Sequence, residues 1–259
     1  MWPTRELYTA GLLAYALGMA GGLAGYALKR PRSWIPGLLC LVSLTGALLE
    51  FGASAGALIT QGSAGTDLGW VLSSGVPYLS YSVRLDPLSA YFNMALSLLA
   101  ASVSVYSFGY IKHGAAQRSP SLFCFFLNLL LLSLTLVFTA SNILFFLIVW
   151  ELMAVAAYFL VVFDHESAES RAGGLLYLLM SRAGTGMLLV GFLLVASAAG
   201  SLDFSALHGI GQRLPPLLGA VAFLLLFLGF GVKAGIIPLH IWLPAAHPAA
   251  PSNISALMS

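Results

Sequence analysis

Ile143-Leu144-Phe145-Phe146-Leu147-Ile148-Val149-Trp150-Glu151-Leu152-Met153-Ala154-Val155-Ala156-Ala157-Tyr158-Phe159-Leu160-Val161-Val162-Phe163 is apolar throughout except for one carboxylate near its middle. An α-helix needs about 20 apolar residues to cross a bilayer, whereas the strands of a soluble core are much shorter. The stretch therefore predicts a membrane-spanning helix with an ionisable group inside lipid. Six more apolar stretches flank it, at 7–28, 34–60, 88–111, 122–140, 172–199 and 217–242. The first is too long for a signal-peptide core and leads directly into further spans.

Composition agrees with this reading. The 259 residues are 59% hydrophobic and only 8% charged, with a mean hydropathy of +0.94, against about 25% charged residues in soluble domains. The expected fold is all-α and polytopic, with about seven transmembrane helices. After Trp242 the sequence Pro244-Ala245-Ala246-His247-Pro248-Ala249-Ala250-Pro251 runs into Ser252-Asn253-Ile254-Ser255-Ala256-Leu257-Met258-Ser259, read as the start of an eighth helix. A helix opened and not completed suggests a fragment, a split gene product or a truncated record.

The longest polar insert, 61–84, alternates Trp70, Leu72, Val76, Tyr78, Leu79 and Tyr81 around Gly75 and Pro77, a pattern that fits a short hairpin at the membrane surface. Two regions follow: 1–83, two helices with this insert, and 84–259, a transmembrane core. The Lys and Arg residues concentrate after the first, third and fifth helices, as Lys29, Arg30, Arg32, Lys112, Arg118 and Arg171. That bias puts the amino terminus on the non-cytoplasmic side of the cell membrane. Spacings such as Gly18/Gly22, Gly21/Gly25 and Gly52/Gly56 suit close helix packing.

A formal charge of +2 with scattered basic residues gives no nucleic-acid surface. Cys40 and Cys124 are far apart in the chain and match neither a disulfide framework nor a metal or iron–sulfur spacing. His165-Glu166-Ser167-Ala168-Glu169 only half matches the zinc motif H-E-x-x-H. No metal and no cofactor is expected, and any electron chemistry belongs to a partner.

Four ionisable residues fall well inside apolar stretches: Glu50, Glu151, Arg182 and Lys233. Each costs at least about 2.5 to 3.5 kcal/mol at the helix centre, so each calls for pairing, water or a function. Glu151 has no polar neighbour along its own stretch, and Lys233, in Gly229-Phe230-Gly231-Val232-Lys233-Ala234-Gly235-Ile236-Ile237-Pro238, is the expected partner. Pro238 should displace the carbonyl of Ala234 within a glycine-thinned helix, leaving a broken seventh helix with a free carbonyl beside the ammonium. Broken helices are a way transporters build ion sites. Moving the Glu151 carboxylate toward or away from the Lys233 ammonium would load or eject a proton. The bland alternative is an ion pair that fixes register.

Arg182 stays charged and is expected to bias the pathway electrostatically. His240 and His247 are candidate relays, or hydrogen-bonded interfacial histidines. Glu50 either neutralises Arg182 or contacts a neighbouring subunit.

At these residues the chain resembles the antiporter-like membrane subunits of respiratory complex I, multisubunit sodium/proton antiporters and membrane-bound hydrogenases. Within that family the likeness is strongest to the large membrane subunits of formate hydrogenlyase and hydrogenase-4 complexes. The phrases that carry it are Trp150-Glu151-Leu152-Met153, Gly200-Ser201-Leu202-Asp203-Phe204, and above all Gly229 to Gly235 followed by Pro238-Leu239-His240-Ile241-Trp242-Leu243-Pro244 and His247-Pro248-Ala249-Ala250-Pro251-Ser252. The likeness runs from about Arg84 to the end.

The resemblance implies a proton-translocating subunit with Glu151 on the fifth helix and Lys233 on the broken seventh. It implies other membrane subunits and a peripheral hydrogenase or dehydrogenase arm with iron–sulfur clusters as partners, H⁺ (or Na⁺) as the ion, and no catalytic chemistry in this chain. Thr185 departs from the family, standing where a large complex I subunit has an acid three residues after its arginine. Glu50 matches nothing in the family's pattern. The family's later helices are not in this sequence, which on this reading supplies one half-channel.

Two other classes fit part of the pattern. Seven helices with a lysine in the seventh also describe a retinal protein with Lys233 as Schiff base, against which stand Pro238 and the missing acid in helix three. A truncated scaffold that assembles but conducts nothing is the other.

Overall fold

The computed structural model describes residues 3–28, 34–60, 66–73, 79–112 and 119–259. The basic run Lys29-Arg30-Pro31-Arg32, Arg118 and the hairpin positions Gly75, Val76, Pro77 and Tyr78 lie outside the described residues, as do the side chains of Trp70 and Leu72. Seven helices among the described residues are long and apolar enough to cross a membrane: α1 (Thr4–Ala27), α2 (Ile35–Thr60), α3 (Pro87–Lys112), α4 (Pro120–Thr139), α5 (Ile143–Val161), α6 (Ala168–Ala199) and α7 (Pro216–Ala234). They correspond to the seven apolar stretches, and the chain is an integral membrane protein. Between α2 and α3, β1 (Thr66–Ser73) pairs with β2 (Ser80–Leu85) as a two-stranded sheet on either side of the expected turn. Two short helices follow α7: α8 (Leu243–Ala249) and α9 (Ser252–Met258), the second being the expected opening of an eighth helix.

The chain divides into two compact units, the first of residues 1–68, 84–139 and 251–259, the second of 69–83 and 140–250. In the first, α1 packs against α2 and α4, and α2 against α3. Small residues permit this. A Cβ on Gly22 would stand 2.8 Å from both the Phe125 backbone nitrogen and the Ser121 carbonyl oxygen of α4, and one on Gly21 would stand 2.6 Å from Leu39 of α2. The close-packing reading of these spacings therefore has a physical counterpart. Polarity is turned inward: Glu50, Asn93, Asn128 and Ser133 are fully buried, while Leu13, Leu17, Leu48 and Leu98 are exposed. For a chain whose solvent is hydrocarbon, that is the expected arrangement.

In the second unit α6 packs against both α5 and α7. Its contact with α7 runs through glycine: a Cβ on Gly229 would stand 2.9 Å from the Gly184 carbonyl oxygen, and one on Gly191 would stand 2.9 Å from Leu226. The amino terminus of α5 is tied to the segment after α6. The Asn142 side-chain oxygen accepts from the amides of Leu144 and Phe145 at 3.0 and 3.2 Å, capping α5, while its amide nitrogen donates to Asp203 at 3.2 Å. The Ile143 amide donates to the Leu202 carbonyl and the Phe204 amide to the Ser141 carbonyl. The Gly200-Ser201-Leu202-Asp203-Phe204 phrase thus begins with a left-handed glycine (φ 69°) that ends α6 and continues into the clamp on α5.

The break after α7 has a different cause from the one expected. The helix ends at Gly235, whose φ of +71° is left-handed. The Ile236 amide donates back to the Gly231 carbonyl at 3.0 Å and the Gly235 amide to that of Val232 at 3.3 Å. This is a Schellman stop. Pro238 lies beyond it, in the turn that leads to α8, so the proline follows the end of the helix and does not cause it. Beside this stop the Val232 carbonyl accepts from the Trp242 indole N–H at 2.7 Å.

Candidate functional site

Three helices of the second unit carry three of the four intramembrane charges. Glu151, on α5, is ion-paired with Arg182 of α6. Lys233, in the last turn of α7, donates to the Tyr177 hydroxyl of α6 at 2.6 Å and stands 4.5 Å from the centre of that ring. Glu151 therefore has a partner other than the expected Lys233, for a geometric reason. Because α6 packs against both α5 and α7, it meets the carboxylate with Arg182 and the ammonium with Tyr177. Arg182, expected as a fixed electrostatic bias, is itself the ion-pair partner of Glu151. Five residues separate Tyr177 from Arg182, about 7.5 Å of helix rise.

Tyr177, only 2% exposed, is the residue that sequence reasoning missed. A ring hydroxyl about a turn and a half before an intramembrane arginine was the available signal. Thr185, at the position of the family's acid, donates to the Ser181 carbonyl of its own helix at 3.0 Å. That hydroxyl is spent within α6.

Aromatic rings cluster on the α5 residues that precede Glu151. Phe146 and Trp150 on α5 lie 5.4 Å apart, Trp150 meets Phe230 of α7 at 5.7 Å, and Phe192 and Phe204 each contact Phe146 at 5.9 and 5.8 Å. Glu151 itself is partly exposed, at 24% for its side chain, and Arg182 more so, at 48%.

Polar groups continue from Lys233 into the broken segment. Trp242, 3% exposed, packs edge-on against Tyr177 at 5.3 Å and stacks on His247 at 5.9 Å. Burial pushes the His247 imidazole below its ordinary value. His240 Nδ1 is buried without a hydrogen-bond partner among the described residues. α8, which carries His247, is seated on α6 where Gly173 leaves room: a Cβ there would stand 2.5 Å from the Ala245 carbonyl oxygen. Of the remaining candidates, Glu50 accepts from Asn93 in the first unit, so its partner is an amide and Arg182's is Glu151. Ser167 caps α6 and Arg171 donates to the carbonyls of His165 and Glu166, which gives that segment a helix-capping role.

Residues 140–259 match the family described as NADH:quinone oxidoreductase/Mrp antiporter, TM. The chain is 37% identical over 182 residues to hydrogenase-4 component B of Escherichia coli (strain K12), covering 70% of this chain and 26% of that protein. It is 32% identical over 219 residues to formate hydrogenlyase subunit 3 of the same organism, covering 84% and 34%. The match thus spans about a third or less of the length of either relative. A solved structure, that of the membrane-bound sulfane sulfur reductase, an archaeal respiratory membrane complex, contains a chain similar over 98% of this one and 49% of its own length, with a TM-score of 0.75 at 20% identity. That likeness is one of fold.

Proposed function

Since this chain belongs to the antiporter-like membrane subunits of the NADH:quinone oxidoreductase and Mrp type, we propose that it translocates protons through Glu151 and Lys233 within a redox-driven membrane complex of the hydrogenase-4 or formate hydrogenlyase kind. The single observation that carries this reading is the arrangement on α6, where Arg182 holds the Glu151 carboxylate and Tyr177 holds the Lys233 ammonium. Two opposite charges with separate partners on one helix form a switch. With Arg182 in place Glu151 stays ionised; with Arg182 withdrawn the carboxylate is left desolvated and takes up a proton. Arg182 keeps its own charge throughout, so its return expels that proton toward the Lys233–Tyr177 side. From there the route continues past Trp242 to His247, with His240 as the neighbouring group. The aromatic cluster of Phe146, Trp150, Phe192 and Phe230 guards the opposite side against leakage.

On this reading residues 84–259 form one half-channel, the amino terminus faces away from the cytoplasm across a cell (inner) membrane, and other membrane subunits together with an iron–sulfur arm supply the redox energy. The test is Lys233→Ala in the assembled complex, with proton uptake and electron transfer followed together. Loss of proton uptake at retained electron transfer is expected. Unchanged pumping would overturn the proposal.

A further inference from the structure

Glu50 is unused by this mechanism, and its surroundings are unlike those of Glu151. It lies within α2 of the first unit and is 0% exposed. One Glu50 oxygen, Oε2, accepts from the Asn93 side-chain nitrogen of α3 at 3.0 Å, and the same nitrogen donates to Ser54 at 3.0 Å. The other carboxyl oxygen, Oε1, and the Asn93 side-chain oxygen, Oδ1, are both buried without a hydrogen-bond partner among the described residues. Oε1 lies against α1 at Gly11, where a Cβ would stand 2.5 Å from it.

The elements packed on α2 are α1, α3 and α4. From α1 the titratable groups facing Glu50 are Tyr8 and Tyr15, and Tyr8 is hydrogen-bonded to Thr139 of α4 at 2.6 Å. Arg5 and Glu6 of α1 are exposed. From α3 come Asn93 and Ser97, whose hydroxyl is spent on the Asn93 carbonyl at 2.6 Å. The Lys112 position is 19 residues beyond Asn93, about 28 Å along the helix, and α4 contains no charged residue. No cation among the described residues therefore compensates a carboxylate at Glu50.

An ionised carboxylate here would be desolvated with a single amide donor, while an amide oxygen beside it went unpaired. Both faults are costly, and both are removed by the same change. A neutral carboxylic acid carries one donor, and an acid beside an amide forms two complementary hydrogen bonds: amide N–H to acid oxygen, and acid O–H to amide oxygen. The first of these is present. The second would use the two oxygens that lack a partner, Oε1 and Oδ1.

We propose that Glu50 is a proton-binding site, holding H⁺ as a carboxylic acid paired with Asn93, separate from the Glu151–Lys233 pathway. The proton is taken up from water as the carboxylate becomes the acid, and no other bond changes. Gln at this position would reproduce the uncharged shape.

The test is infrared difference spectroscopy on the assembled complex in lipid at neutral pH, wild type against Glu50→Gln and Glu50→Asp, with and without sodium chloride. The expected result is a protonated-carboxyl stretch in wild type that is absent in E50Q, shifted in frequency in E50D, and unchanged by sodium. Absence of any difference in that band would overturn the proposal, as would its loss on adding sodium, which would make Glu50 a cation ligand. If E50Q does not assemble, the E50D comparison decides: a shifted band supports the proposal and a spectrum identical to wild type overturns it. The readout does not involve Lys233, so a failed K233A test leaves it standing, and the reverse.

Discussion

The Lys233 ammonium donates to the Tyr177 hydroxyl at 2.6 Å and lies 4.5 Å from the centre of the same ring. One side chain thus serves the cation twice, with an oxygen lone pair and with a π face. Tyr177→Phe keeps the face and removes the lone pair. A hydrogen bond to a charged group contributes about 1.5 to 3 kcal/mol, and about 1.4 kcal/mol is a factor of ten. The expected outcome is an assembled complex in which proton translocation, followed as acidification in sealed vesicles, falls about tenfold or more relative to electron transfer. Wild-type translocation in Y177F would show that the hydroxyl is idle.

The α6–α7 contact makes a second, purely structural prediction. Gly229 lies so close to α6 that an added Cβ would stand 2.7 Å from Leu188 and 2.9 Å from the Gly184 carbonyl oxygen. Leu188 is a side chain and can adjust, but the carbonyl is backbone. Gly229→Ala should therefore push the two helices apart at a cost of about 1 to 3 kcal/mol, the usual range for overpacking. Thermal unfolding in detergent would show a lowered Tm. Gly186, which has nothing within 4 Å of its added Cβ, is the matched control, and Gly186→Ala should be neutral or mildly stabilising.

The end of α7 predicts a third effect. Gly235 is left-handed (φ +71°), and its Cβ would run into Leu243. Gly235→Ala should cost about 1 to 2 kcal/mol from the backbone alone, with the side-chain clash added. Because the stop positions Lys233 and the Trp242 indole, G235A should also weaken translocation. Wild-type stability together with wild-type translocation in G235A would refute this account of the break.

The seven spans and the break in the last were legible in the sequence because lipid imposes one rule, that apolar length means helix, and the rule needs no tertiary information. Partners were less legible. Glu151 and Lys233 stood out as charges, but their pairing depended on which helix lies between α5 and α7, and an apolar stretch does not disclose its neighbours. Tyr177 went unnoticed because tyrosine is common in membrane helices, and only the approach of Lys233 gives its hydroxyl a role. The break was located correctly in general and wrongly in detail. Pro238 is a stronger signal on paper than Gly235, yet a left-handed glycine can end the helix before the proline is reached.

His247 supplies a pH-dependent prediction whose sign follows from burial. The imidazole sits in α8, outside the seven spans, stacked on Trp242 at 5.9 Å, and desolvation holds it below its ordinary value of 6.5. As the pH falls through that ordinary value, an unfolded chain takes up a proton at this residue before the folded one does. Unfolding is then favoured by proton binding. The contribution to stability is therefore fully present above 6.5 and is lost progressively as the medium is acidified toward the lowered folded value. His247→Gln removes the titration and keeps a polar side chain of similar reach. Between about pH 7.5 and about pH 5.5, the Tm of the wild-type chain should fall more steeply than that of H247Q. Parallel slopes would show that His247 is protonated as readily in the fold as in the unfolded chain, which is incompatible with its burial against Trp242.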